Sequence, residues 1–147
     1  MDKLIFPPFE YKTKKIGDKT SIFDIIRKKY IVITPEEIVR QHLIHFLINQ
    51  MNYPKTLITV EDGLKVNRLQ KRSDVVVYNK MGNIFMVVEC KSTKVKLSQS
   101  SMDQLSIYNQ YYKSKFLALT NGIQLYICKM DYHNKNAEFL DNFPFFE

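Results

Sequence analysis

Apolar side chains recur along this chain with two distinct periods, and the changes of period mark its elements. Thr34-Pro35-Glu36-Glu37 opens a helix: Thr34 suits the cap, Pro35 the first helical position, and Glu37 completes a capping box. Val39, Leu43, Phe46, Leu47 and Met51 follow at three- and four-residue spacing, a stripe for about four to five turns that Tyr53-Pro54 ends. Alternation takes over in Thr56–Glu61, which Asp62-Gly63 closes with a turn. Asp74–Tyr78 reads D-V-V-V-Y. After a turn at Met81-Gly82-Asn83, Ile84–Lys91 reads I-F-M-V-V-E-C-K. Strands this apolar on both faces belong in the middle of a covered sheet. Helical spacing returns from Ser98 to about Tyr112, through Met102, Leu105, Tyr108 and Tyr112. Phe116–Thr120 and Ile123–Lys129 then flank Asn121-Gly122, a strong hairpin signal. The order predicts an α/β fold with a central mixed β-sheet and helices on both faces. Residues 1–30 read as a basic N-terminal arm or small subdomain, 31–130 as the core, and 131–147 as an aromatic tail.

Composition narrows the class. The 147 residues suit one domain, and 45% apolar with 25% charged residues is an ordinary globular balance. No apolar run approaches the roughly 18 residues that span a bilayer. The opening MDKLIFPPFEYK lacks the apolar core and cleavage site of a secretory signal. Cys90 and Cys128 both lie inside apolar runs, as buried, reduced thiols would. The expectation is a soluble cytoplasmic protein. The formal charge of +7 is unevenly spread, because residues 98–147 carry four basic and five acidic groups. Within residues 64–96 there are eight basic groups against two acids, Asp74 and Glu89. Such a surface attracts phosphate backbones, membrane headgroups or acidic proteins.

Those two acids are the candidate chemistry. Glu89 and Lys91 are two apart on one strand and share a face, while Cys90 points into the opposite layer. The short turn at Gly82 makes the strands of Asp74 and Glu89 antiparallel neighbours, so both carboxylates converge at one sheet edge with Lys91 beside them. A divalent cation resolves the repulsion of two such carboxylates, and hard oxygen ligands select Mg2+ or Mn2+. The cysteines are 38 residues apart, and His42 and His45 stand alone on a helix, which leaves no zinc pattern. A cation there would polarise a phosphodiester and acidify a water, with Lys91 orienting that water or steadying charge on phosphate oxygens.

Five short strings, ITPEEIVRQ (33–41), KRSDVVVYN (71–79), VVECKS (87–92), DQLSIYN (103–109) and LTNG (119–122), resemble the PD-(D/E)xK nuclease superfamily. The resemblance is specifically to the N-terminal nuclease-like domain of type I restriction enzyme R subunits. It implies a three-layer α/β/α, restriction-endonuclease-like core with Asp74, Glu89 and Lys91 as the catalytic triplet. Asp74, Glu89 and the Cys90 backbone carbonyl would hold the metal. Ser73 stands where the superfamily name has proline. The resemblance also points to a glutamate on the first helix, Glu37 with Glu36 adjacent, although Glu37 already has a role in the cap. Gln104 and Tyr108 match a Gln-x-x-x-Tyr pattern and stack on one helix face; Tyr108 also continues the apolar stripe. Lys71, Arg72, Lys94 and Lys96, with Lys65 and Arg68, flank the two strands where a phosphate track would run, and Arg72 lies two residues from Asp74.

The chain has no G-x-x-x-x-G-K-S/T string, hence no P-loop, and no G-x-S-x-G. The expected function is a Mg2+-dependent DNA endonuclease working with DNA and other restriction-modification subunits, in one copy or as a homodimer. The alternative is a DNA-binding or assembly module that keeps the fold without cutting.

Overall fold

A computed structural model describes residues 3–61 and 74–147 of the chain. The opening segment is not an extended arm. It forms a small antiparallel sheet of β1 (Thr13–Ile16), β2 (Lys19–Asp24) and β3 (Lys29–Val32), in that order. The Gly17-Asp18 pair closes the first hairpin, with Gly17 at φ +65°, a conformation that side chains disfavour. At the second turn the Asp24 carboxylate accepts from the Ile26 and Arg27 amides at 2.7 and 3.2 Å.

Helix α1 (Pro35–Asn49) follows, capped by the Thr34 hydroxyl, which accepts from Glu37 N at 3.0 Å. A single 3-10 turn, Lys55–Leu57, takes up the start of the expected strand, leaving β4 (Ile58–Glu61). Then come β5 (Asp74–Tyr78), β6 (Ile84–Cys90), α2 (Gln99–Tyr112), β7 (Phe116–Thr120), β8 (Leu125–Asp131) and β9 (Asn136–Leu140). The six strands β4 to β9 lie side by side in chain order; β6 and β7 are parallel and every other neighbouring pair is antiparallel. The parallel step is the crossover that α2 makes possible.

Alternation along the strands sorts the core into two clusters. Val75, Val77, Met86, Val88, Cys90, Phe116 and Ala118 pack with Val39, Leu43, Ile44 and Leu47 of α1. Val76, Val87, Leu117 and Leu119 pack with Met102 and Leu105 of α2. The two helices therefore cover opposite faces of a mixed sheet, as the apolar pattern of β5 and β6 requires.

Residues 131–147 contribute to this core. Strand β9 pairs with β8, and beyond it Phe143, 7% exposed, and Phe146 reach the α1 cluster beside Tyr53 and Phe85. The Tyr53 hydroxyl donates to the Pro144 carbonyl at 2.6 Å, and burial raises its pKa. Among the described residues no helix is long and apolar enough to cross a membrane.

Candidate functional site

Glu89 is the penultimate residue of β6 and is 3% exposed. A carboxylate held this deep is costly without cationic or hydrogen-bonding partners. Lys91 supplies one: its Nζ lies 3.4 Å from Glu89 Oε1, while its own side chain is 28% exposed. The Cys90 side chain between them is buried in the α1 cluster, so the strand sends Glu89 and Lys91 to one face and the thiol to the other.

Asp74 opens β5, where the register pairs it with Glu61 of β4. The β5–β6 ladder runs from Tyr78↔Ile84 to Val75↔Val88, with a bulge between Val77 and Tyr78. Carried one residue further, it sets Asp74 across from Glu89. Backbone register thus lines up Glu61, Asp74 and Glu89 on three adjacent strands at one end of the sheet. Glu61 is an addition that alternation alone did not single out, because its partner strand had to be known. Lys71 and Arg72, like Lys65 and Arg68, lie outside the described residues.

The exit of β6 is fixed by β7. Lys91 N donates to Thr120 O at 2.8 Å, extending the parallel ladder past Cys90↔Thr120. Thr120 is itself locked, its hydroxyl accepting from Gly122 N at 3.0 Å and donating to Gln124 O at 2.7 Å. The Asn121 carboxamide accepts from Ile123 N and Gln124 N at 2.9 and 2.7 Å and donates to Val95 O at 2.8 Å. Thr-Asn-Gly therefore clamps the 92–97 turn that presents Lys94 and Lys96, both exposed. Leu97, 5% exposed, anchors that turn in the α2 cluster. A hairpin signal made Asn121 legible as a turn residue, but its hold on a loop 26 residues away was not. The same clamp moves the start of β8 from the expected Ile123 to Leu125, since residues 121–124 bond to one another.

Gln104 is exposed on α2 beside the buried Leu105, and Tyr108 lies one turn further along. Glu37 departs from the capping box in one respect. Its amide bonds Thr34, but its carboxylate is held by Arg40 Nη1 at 2.7 Å, Arg27 Nη2 at 2.8 Å and Gln41 Nε2 at 3.1 Å. Arg40 also reaches Glu36 at 2.7 Å, and Arg27 reaches Asp24 at 2.5 Å. Burial pushes the Asp24 carboxyl up, yet hydrogen bonds from Arg27 and the Ile26 amide outweigh it and hold the pKa low. The buried Arg40 and the partly buried Arg27 call for carboxylate partners, and that demand draws Glu37 away from the cap. The i,i+3 and i,i+4 pairs of Arg40 were readable from spacing, whereas Arg27 carried no signal. Arg27, Val32, Glu36, Glu37, Arg40 and Ser92 line a cleft of about 460 Å3, so this ion network borders the chain directly after Lys91.

A family model described as the N terminus of the type I restriction enzyme R protein matches residues 35–144. The chain belongs to that R-protein N-terminus family. The match runs from the first residue of α1 to the docked Pro144, and so takes in Asp74, Glu89, Lys91 and the Thr-Asn-Gly clamp. A solved fragment of an HsdR subunit of a type I restriction enzyme from Vibrio vulnificus YJ016 is 30% identical over 59% of this chain, with a TM-score of 0.37. The match covers 16% of that chain, far less than two thirds of its length. No curated protein matches the chain.

Proposed function

We propose that this R-protein N-terminal domain is a metal-dependent endonuclease of the PD-(D/E)xK type, with a three-layer α/β/α, restriction-endonuclease-like core, hydrolysing phosphodiesters of duplex DNA. The observation that carries this reading is the Glu89–Lys91 pair: a nearly sealed carboxylate and a partly exposed ammonium, 3.4 Å apart, where β6 leaves the sheet.

The donor chemistry fits Mg2+ or Mn2+. Among the described residues no three His, Cys, Asp or Glu side chains gather at one point, and Asp74 enters by backbone register with Glu89. Asp74 and Glu89 bring hard oxygens, the Cys90 carbonyl is a third candidate donor, and the cysteine thiols are buried and sorted to the cores. Bound there, the cation would polarise the phosphodiester and acidify a water.

The chain's own groups do the rest. Glu89 holds Lys91 in place, and the part of Lys91 that faces solvent offers hydrogen bonds to a water or a phosphate oxygen. The Lys91–Thr120 backbone bond stops the strand end from fraying, so the ammonium keeps its position as DNA arrives. Gln104 and Glu37 are proposed as supporting residues; Arg72, Lys71, Lys94, Lys96 and Tyr108 as DNA contacts. Work beside other restriction subunits is proposed on family membership.

The test is cleavage of a plasmid duplex with Mg2+ or Mn2+ by the parent and by Asp74→Asn, Glu89→Gln and Lys91→Met. Loss of nicking and cutting in all three variants, with folding retained, supports the nuclease. Parental rates in all three overturn the site. A parent that binds DNA but never cuts it points to the non-catalytic module.

A further inference from the structure

Sheet β1–β3 plays no part in the reading above, yet it is strongly basic. Residues 12–29 hold seven basic and two acidic groups, and one of those acids, Asp24, is already bonded to Arg27. The registers divide the sheet into two faces. Ile22 and Asp24, 1% and 0% exposed, mark the inner face. Lys14 opposite Ser21, whose small side chain is itself covered at 1% exposure, Lys19 opposite Ile16 and Phe23 opposite Tyr30 mark the outer one. Lys12 joins the outer face, because its carbonyl accepts from Phe23 N at 2.9 Å and so continues the ladder.

The outer face is organised. Phe23 and Tyr30 meet edge-on at 5.3 Å, and Lys14 Nζ lies 4.6 Å above the Tyr30 ring. The aromatic pair is half-buried and occupied with itself, leaving lysine ammoniums as the accessible chemistry. Lys12 and Lys14, two residues apart on one strand, stand roughly 7 Å apart, close to the repeat of phosphates along a nucleic-acid strand. Strand β3 then leads through Val32 into the cleft that Ser92 lines, one residue from Lys91.

We infer that the outer face of β1–β3 is a phosphate track that leads duplex DNA across Val32 toward Glu89 and Lys91. The inference rests on the nuclease reading only for where the DNA goes. Lysine contacts of this kind add affinity without sequence preference and make binding steeply salt-dependent. An acidic protein partner is the competing ligand, but an interface of that sort calls for accessible aromatic anchors, and Phe23 and Tyr30 are turned on each other.

The experiment measures binding of a labelled 30-bp duplex by fluorescence anisotropy, without divalent metal, between about 50 and 200 mM salt. It compares the parent, the triple variant Lys12→Gln/Lys14→Gln/Lys19→Gln, and a charge-matched control, Lys113→Gln/Lys129→Gln/Lys135→Gln, whose lysines are also exposed. The sheet variant should lose about 2.7 from the slope of log affinity against log salt, and the control less than about 0.9. Equal weakening of both triples reduces the effect to net charge and overturns the track, as does a sheet variant with the parental slope. A parent that ignores DNA but binds polyglutamate through these lysines overturns it in favour of an acidic partner. Metal-dependent cleavage is read separately. A parent that cuts while the sheet variant cuts equally well at subsaturating DNA keeps the nuclease and removes the track. Salt-dependent binding through the sheet with no cleavage does the reverse.

Discussion

Lys91 Nζ sits 3.4 Å from Glu89 Oε1, and the two groups differ sharply in their access to water: 28% against 4% of each side chain is exposed. The pair is a sealed anion under a cation that still meets solvent. That asymmetry is poor for stability, since a buried carboxylate costs desolvation that an ion pair offsets only in part. It suits a site that must accept a phosphate or a hydrated metal.

Neutralising Glu89 should therefore separate activity from stability. Glu89→Gln is expected to lower duplex cleavage by at least about 1000-fold, the scale of losing a charged group that acts on the reacting atoms. Its melting temperature should equal or exceed the parent's, as at sites where function opposes stability. Cleavage kinetics and calorimetry on the same preparation check this. A variant both inactive and strongly destabilised would make Glu89 a structural residue.

Arg40, with 2% of its side chain exposed, spans Glu36 and Glu37 at 2.7 Å each. Arg40→Met should cost about 3–5 kcal/mol in urea unfolding, because it takes one of two cations from the buried Glu37 carboxylate. In a double-mutant cycle with Glu37→Gln, much of that cost should disappear, since the buried charge that Arg40 balances is gone. Additive effects would show that the network does not couple.

His45 stacks on Phe9 at 3.9 Å, and burial lowers its pKa against the pull of Asp24, with His42 and Lys55 adding to the depression. The folded state prefers the neutral ring. Its contribution is complete above the ordinary value of 6.5 and is lost as the pH falls through the lowered value. The parent should therefore lose melting temperature between about pH 7 and pH 5, and His45→Phe should lose less over the same range. Parallel curves for the two proteins would refute the assignment.

Asn121 does two jobs that substitution can split. Asn121→Ala should cost about 1 kcal/mol or more by leaving the part-buried amides of Ile123 and Gln124 without this acceptor. Asn121→Asp keeps the acceptor for Ile123 N and Gln124 N but loses the donor to Val95 O. Hydrogen exchange should then show protection retained at Ile123 and Gln124 and lost through the 92–97 turn in the Asp variant. Loss at both places in both variants would mean the clamp acts as one unit.

Much of the central sheet was legible in local pattern. The valine runs of β5 and β6 are apolar on both faces because both faces are covered, and the bounds of Asp74–Tyr78, α1 and α2 follow from periodicity and caps that neighbouring residues supply. Glu89 and Lys91 had to share a face because strand side chains alternate. The hairpin at Gly17-Asp18 carried a turn signal too, but lysines on its exposed strands hid the alternation.

What the chain alone determined is thus whatever depends on contacts within a few residues: helix ends, strand parity, the turn at Asn121-Gly122. Tertiary structure decided the rest. The Glu37 carboxylate left its cap for Arg40 and for Arg27, ten residues earlier, because guanidinium groups with little access to water must find an anion wherever the fold provides one. Residues 131–147 became a sheet edge and an aromatic plug because β8 left an open ladder and Tyr53 and Phe85 an open apolar surface. Gly122, at φ +85°, holds a backbone conformation that side chains disfavour, and a Cβ there would press on Leu4 Cδ2 at 2.8 Å and Val39 Cγ2 at 3.1 Å. Partners so distant in sequence leave no periodic mark, and only the packed chain shows which of them meet.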